Sequence, residues 1–160
     1  MTDLTVRSAT EADIREFALW RHEPPLDVYN ITQPVAQAVE YFLQPSTGCH
    51  VIMREDELAG FITFGSDAQV PGGDYSSSAL DIGLGMKPSL TGRGYGRSIV
   101  DAVVQFARQS IEPGRLRVTI AVGNQRAVRV WSSRDFVETQ RFQSPETVMG
   151  SDTFVVLENG

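Results

Sequence analysis

Apolar positions along this chain change their period several times, and each change marks an element. Leu4 and Val6 alternate with Thr5 and Arg7, which is the pattern of a strand. Thr10 then stands three residues before Asp13, the spacing of a capping box, and Ile14, Phe17 and Ala18 form a helical stripe behind it. Pro24 and Pro25 break that helix. A second helix is expected behind a Thr32 cap, with Pro34 in its first turn and Val35, Val39 and Phe42 on one face. "HVIMR" and "LAGFITFG" flank the polar run Glu55 to Glu57, a hairpin signal. A glycine- and serine-rich loop covers Ser66 to Ser77. The next strand, "SALDIGLGMKP", is halted by Pro88, and the helix after it carries Ile99, Val100, Val103, Val104 and Ala107 on one side. Glu112 to Gly114 should stop that helix. "RLRVTIAV" alternates cleanly, Asn124 can cap a helix bearing Ala127, Val130 and Trp131, and "FVETQRF" and "TFVVLE" close the chain as strands. The resulting order is β, α, α, β, β, β, α, β, α, β, β. It predicts an α/β mixed sheet with a hairpin run in the middle and one right-handed, parallel strand–helix–strand crossover.

Totals narrow the picture further. The 160 residues suit one domain, expected over 1–160, and 41% hydrophobic with 21% charged residues is ordinary for a soluble globular protein. A formal net charge of -6 argues against a nucleic-acid partner, which needs a basic surface. It would suit a cationic substrate, although net charge does not fix the charge of a pocket. Cys49 is the sole cysteine and His22 and His50 are the only histidines, so there is no internal disulfide and too few ligands for structural zinc; no metal is expected. The N-terminus lacks a basic start and an apolar run, and no apolar run is long enough to span a membrane. A cytoplasmic protein without a membrane partner is the expectation.

The stretch "LTGRGYGRSIV" places Gly92, Gly94 and Gly96 at the threshold of a helix, where glycine is costly. On the strand before it, Leu80, Ile82, Leu84 and Met86 share one face. Ala79, Asp81, Gly83 and Gly85 share the other, which is small except for one carboxylate. That second face is expected to leave room for something to lie against the backbone. The glycines allow positive φ and remove Cβ atoms. The helix, expected to start near Gly94, offers free N–H groups and the positive end of a dipole, and Arg93 and Arg97 add charge. A phosphate or pyrophosphate fits that description. The Walker pattern fails, since no Gly-Lys-Ser/Thr follows, and the dinucleotide pattern G-x-G-x-x-G fails because its third glycine would fall at Arg97.

Thr91-Gly92-Arg93-Gly94-Tyr95-Gly96 instead resembles the acyl-CoA-binding signature of the GNAT superfamily of N-acetyltransferases, Gln/Arg-x-x-Gly-x-Gly/Ala, with Thr91 in place of Gln or Arg. The later "NQRAVRVWSSRDF" is similar to that family's Asn-x-x-Ala-x-x-x-Tyr helix ending in Gly-Phe. It supplies Asn124, Ala127 and Phe136, but has Trp131 for the tyrosine and Asp135 for the glycine. The resemblance covers nearly the whole chain. It implies a GNAT-like fold: a central, mostly antiparallel sheet with a splayed parallel strand pair, flanked by about four helices. It also implies that Leu84 and Met86 offer backbone groups to the pantetheine arm of acetyl-CoA, and that Thr91, Gly92, Arg93, Gly94, Tyr95, Gly96 and Arg97 surround the pyrophosphate. Asn124 would lie near the pantetheine, be a simple N-cap, or both. Many relatives pair through late strands or helices, so a homodimer is allowed.

The implied chemistry is acetyl transfer from acetyl-CoA, used as cosubstrate, to a small-molecule or peptide amine. A lysine-like amine with a pKa of about 10.4 is protonated at pH 7, and freeing its lone pair costs about 4–5 kcal/mol. Asp81 is a candidate base as the one ionisable group on the open face; the alternative is that it pairs with Arg117. An indole cannot donate a proton as the family tyrosine would, so Tyr95, Tyr75 or water takes that role, or the thiolate leaves unaided. Trp131 itself reads as a core or pocket-wall aromatic. The first two helices and residues 66–77 should build the acceptor pocket. Glu23, Tyr29 and Tyr75 are candidates there, alongside the reading of "WRHEPPLDVYN" as a solvated loop. Two other function classes compete with the enzyme. One is a CoA-binding sensor or partner domain with little catalysis, motivated by the missing tyrosine; the other is a phosphate-loop nucleotide binder.

Overall fold

The expected succession of elements is the one that forms. In the computed structural model, which describes residues 3–111 and 113–160, β1 (Leu4–Ser8) is followed by α1 (Glu11–Phe17) and α2 (Val35–Phe42). Next come β2 (His50–Arg54), β3 (Glu57–Phe64) and β4 (Leu80–Met86), then α3 (Gly96–Phe106), β5 (Leu116–Ala121), α4 (Gln125–Ser132), β6 (Val137–Val148) and β7 (Ser151–Asn159). The strands form one seven-stranded sheet in the order β1-β2-β3-β4-β5-β7-β6. Every neighbouring pair is antiparallel except β4 and β5, the two joined by the α3 crossover. No helix among the described residues is long and apolar enough to cross a membrane.

The sheet is covered on both faces, because its strands alternate between two apolar sets. On β2, Val51 and Ile52 are both 0% exposed yet belong to different cores. Ile52, Ile82, Leu116, Val118 and Ile120 pack under Ile99, Val100 and Val103 of α3 and Trp131 of α4. Val51 packs with Ile14 and Phe17 of α1 and with Ala38 and Val39 of α2. Phe17 stacks on Phe61 of β3 at 4.1 Å and meets Phe42 edge-on at 5.3 Å. Burying side chains of this size stabilises the fold by about 1.5–3 kcal/mol each.

Local chemistry explains most boundaries. The Thr10 hydroxyl accepts from the Asp13 amide at 3.3 Å, and the Asp13 carboxylate accepts from the Thr10 amide at 2.8 Å, so the capping box forms. Arg7 reaches the same carboxylate from β1 with contacts of 2.6 and 3.0 Å. That guanidinium holds the Asp13 carboxyl below its ordinary pKa, with the Thr10 amide and hydroxyl helping against the cost of burial. Between β2 and β3 the turn falls at Glu55 and Asp56, with Glu55 left-handed at φ 57.

Two expectations about helix starts need correction. Thr32 does not cap α2. The N-cap is Pro34, extended at φ -54 and ψ 144 and making no side-chain bond, and the helix begins at Val35. Proline drives the residue before it out of the α region, so no helical turn can include Gln33. Likewise α3 begins at Gly96 rather than near Gly94. At its other end α3 passes into a π-type turn, Ala107–Ile111; of the expected stop at Glu112 to Gly114, Glu112 lies outside the described residues, as do Met1 and Thr2 of the N-terminal segment.

Candidate active site

β4 and β5 share only two register pairs, Leu80 with Leu116 and Asp81 with Arg117. Beyond them each strand keeps its outer partner: β4 stays paired to β3 as far as Met86, and β5 to β7 as far as Ala121. The sheet therefore opens into a wedge at its centre, closed at Asp81 and Arg117 and open toward the ends of both strands.

Four hydrogen bonds show which backbone groups line that wedge. Asp81 C=O accepts from Gly65 N–H at 2.9 Å and Lys87 N–H donates to Ala59 C=O at 2.8 Å, so odd residues of β4 face the β3 side. Leu80 N–H donates to Arg115 C=O at 2.8 Å, so even residues face β5. Ile82, Leu84 and Met86 then point their N–H and C=O groups into the wedge. On the other wall, Val122 N–H donates to Thr153 C=O of β7 at 3.1 Å, which turns the odd residues, Thr119 and Ala121, toward the opening.

At the wide end lies the glycine turn. Gly92 and Gly94 are left-handed, with φ of 75 and 82. A Cβ on Gly94 would meet nothing within 4 Å, so the space beside it is open. Gly96 is not left-handed; a Cβ there would come 3.2 Å from Val130 of α4, so glycine allows the two helices to sit close. Tyr95, the N-cap of α3, makes no side-chain capping bond, and among the described residues the first-turn amides of Gly96, Arg97 and Ser98 have no hydrogen-bond partner. The guanidinium of Arg126, in the first turn of α4, lies 3.4 Å from where a Gly92 Cβ would sit. Arg93 and Arg97 supply further positive charge beside the same turn.

The face of β4 that carries Asp81, Gly83 and Gly85 is not empty. A Cβ on Gly85 would collide with the Phe61 ring, and one on Gly83 would fall 2.5 Å from the Thr63 hydroxyl and 3.4 Å from Ala68. Neighbouring side chains lean over the glycines, and the unoccupied space is the wedge itself. Asp81 is 4% exposed and Arg117 2%. Arg117 Nε donates to one Asp81 oxygen at 2.6 Å and Nη2 to the other at 2.9 Å, while Gln69 Nε2 donates at 2.9 Å. This favours the pairing with Arg117 over a free base. The carboxylate in turn pushes the Arg117 pKa above its ordinary value, against the cost of burial.

Arg117 also organises the loop before β4. Its Nη1 donates to the Ser77 carbonyl at 3.0 Å, and its guanidinium sits over the Tyr75 ring at 4.9 Å. The Tyr75 oxygen accepts from the Val70 amide at 3.0 Å and lies 2.9 Å from Thr119 Oγ1. A recess of about 330 Å³, lined by residues including Ser66, Gln69, Val70 and Tyr75, opens on this loop.

Asn124 is both a cap and a contact. Its oxygen accepts from the Ala127 amide at 3.3 Å, and its Nδ2 donates to the Tyr29 hydroxyl at 3.1 Å. Tyr29 belongs to a short 3-10 turn, Leu26–Tyr29, which thereby reaches the N-terminus of α4. Glu23 is exposed, and its side chain joins no such contact among the described residues. Tyr95 turns away from the wedge, its ring 5.0 Å beneath the Arg54 guanidinium of β2. Trp131 is 5% exposed and packs edge-on against Phe136 at 4.8 Å, a core aromatic. Asp135 takes the left-handed conformation, φ 66, that its place after the helix requires.

Sequence reasoning overlooked Thr63, Gln69, Thr119 and Arg126. The alternation of "RLRVTIAV" carried a usable signal for Thr119, since it puts Arg117 and Thr119 on one face. Arg126 had none, because only the packing of α4 brings it to Gly92.

The model of the acetyltransferase (GNAT) domain family matches residues 3–137. No curated protein matches the chain by sequence. Among solved structures, the spermidine N-acetyltransferase of Vibrio cholerae in complex with CoA and spermine is similar at 14% identity. Its TM-score is 0.78, with 98% of this chain and 94% of that one covered. Aminoglycoside acetyltransferase AAC(6')-Ib in complex with coenzyme A is similar at 17% identity and a TM-score of 0.77, again covering 98% of this chain and 94% of that one. At such identities the likeness is one of fold.

Proposed function

Because the chain belongs to the GNAT acetyltransferase family, we propose that it moves the acetyl group of acetyl-CoA to an amine acceptor by direct attack of the amine. The parting of β4 and β5 directly beyond Asp81 and Arg117 carries this reading. Among the described residues it leaves a row of main-chain N–H and C=O groups in mid-sheet with no partner across the wedge, and a ligand that covers such groups has to pair with them. The main chain of Leu84 and Met86 would hold the pantetheine arm. Thr91 to Gly96, with Arg93 and Arg97, would hold the pyrophosphate at the uncapped start of α3. Arg126 adds a cation to that cradle, and Asn124 stands at the mouth of the wedge.

Bound acetyl-CoA would supply an activated acyl carbon. The protein's part is to place an unprotonated amine beside it and to set an N–H of the splayed strand against the carbonyl oxygen as charge develops. The acceptor would enter from the α1 and α2 face, between the segment holding Glu23 and Tyr29 and the loop holding Tyr75. The net charge of -6 suits a cationic amine, and spermine and aminoglycosides, the amines named for the two similar structures, are cationic. Asp81 is assigned to holding Arg117 and the loop rather than to proton transfer. The same reading treats residues 1–160 as one acyl-CoA-binding domain in the cytoplasm, without nucleic-acid or membrane partners, and allows two copies to pair.

Mixing the protein with acetyl-CoA and a panel of amines, and following free thiol, tests the proposal. Amine-dependent, saturable thiol release is the expected result. Saturable binding of CoA with no release on any amine would instead favour a CoA-binding sensor, the reading that Trp131 in the tyrosine position motivates.

A further inference from the structure

Three hydroxyl side chains lie around the place where β4 and β5 part, and two of them are in contact. Thr63 pairs with Gly83 across β3 and β4, and its oxygen lies 2.5 Å from where a Gly83 Cβ would sit. Thr63 is 2% exposed. Continuing the parallel register from Asp81 and Arg117 brings Thr119 level with Gly83 on the opposite wall. The side chain of Thr119 shares a face with Arg117 and Asp81. Tyr75 supplies the third hydroxyl, at 2.9 Å from Thr119 Oγ1.

The proton order in this group follows from its donors. Val70 N–H can only donate, so the Tyr75 oxygen accepts from it at 3.0 Å. The phenol is the stronger acid of the remaining pair, so it donates to Thr119 Oγ1. With its oxygen accepting on that side, the Thr119 hydroxyl keeps its own proton free for another acceptor, since among the described residues it donates to none. Arg117 holds the Tyr75 ring from above and Ser77 from beside it, which fixes this arrangement.

Building on the acetyltransferase reading, we infer that Thr119 is the proton shuttle of the reaction, and that Tyr75 is the positioning residue that aims its hydroxyl. As the carbon–nitrogen bond forms and the carbon–sulfur bond breaks, Thr119 Oγ1 takes the proton from the attacking nitrogen and gives its own to the departing sulfur. One N–H bond is lost and one S–H bond is gained, and the hydroxyl is regenerated. No titrating side chain is consumed, so neither Asp81 nor a tyrosine at position 131 is required.

The test uses the purified full chain and an amine that the wild type acetylates. Thr119→Val should lower kcat about 100-fold and Tyr75→Phe about 10-fold, with KM for acetyl-CoA within about twofold of wild type. Thr119→Ser, which keeps the hydroxyl, should stay within about threefold, and the double variant should be no slower than Thr119→Val because the two residues act in series. A second readout needs no turnover. By calorimetry at pH 9 the wild type should bind coenzyme A about fivefold more tightly than its desulfo analogue, and Thr119→Val should erase that preference. A Thr119→Val protein with wild-type kcat, or with the preference intact, overturns the shuttle and leaves the enzyme reading standing. A wild type that binds coenzyme A but acetylates no amine overturns both.

Discussion

Arg117 and Asp81 face each other across the last register pair that β4 and β5 share, joined by two parallel hydrogen bonds of 2.6 and 2.9 Å. The pair is the clasp of the wedge, since the same guanidinium also grips Ser77 and covers Tyr75.

Removing one partner leaves the other charge buried. Arg117→Met should therefore destabilise the protein by about 3–5 kcal/mol, measured by urea unfolding. Arg117→Met combined with Asp81→Leu should recover most of that loss, because a well-packed apolar pair replaces two buried charges. A double variant as unstable as the single one would show that the cost lies in the loop contacts rather than in the orphaned carboxylate.

Gly94 offers a separate test of the phosphate cradle. A Cβ at Gly94 meets no atom within 4 Å, so in Gly94→Val the fold should survive with a strain cost of about 1–2 kcal/mol from the left-handed backbone. Binding of coenzyme A should weaken at least tenfold, since the new side chain occupies the space beside the free amides. Unchanged affinity in a folded variant would remove the cradle from this turn.

The Arg7–Asp13 contact sets an acid limit on stability. The folded-state pKa of Asp13 is depressed below its ordinary value of 3.8, so its contribution is fully present above that value and is lost as pH falls through the folded pKa. Asp13→Ala should cost about 0.5–2 kcal/mol at pH 7, when the capping box and the ion pair are both removed. The gap between wild type and variant should narrow below pH 4, as chemical denaturation across pH would show.

Burial pushes the Cys49 thiol up to about 12, with Asp67 and Asp13 adding to the rise. At pH 8 the folded protein should react with a disulfide reagent far more slowly than the urea-unfolded chain. The order of elements around this thiol, β2 beneath α1 and α2, makes the reaction a probe of how firmly that helical layer stays down.

Element order was legible from sequence because each strand and helix carries its own period, and the strong punctuation at Pro24, Pro88 and Asn124 falls where elements change. The start of α2 was misread because Thr32 is a good cap residue in isolation, and the conformational restriction imposed by Pro34 overrides it. The phosphate turn was legible because Gly92 and Gly94 announce the backbone they adopt. The second face of β4 was misread for the opposite reason. Alternation shows that Gly83 and Gly85 lack side chains, but not that Phe61 and Thr63 lean across from the next strand. The pairing of Asp81 with Arg117 was an open alternative at that level, and only the parallel register brings the two level.

The wedge also means that β4 and β5, although central in a seven-stranded sheet, each expose one raw edge. Exposed edges elsewhere invite other chains and are normally blunted by charge, proline or distortion. Here the remedy is burial at depth: the two edges converge on a closed end, so a foreign strand can neither pass through nor lie flat along both. Only a thin, extended polar thread can satisfy them, and the fold's defence against clumping is thereby also its means of choosing a ligand.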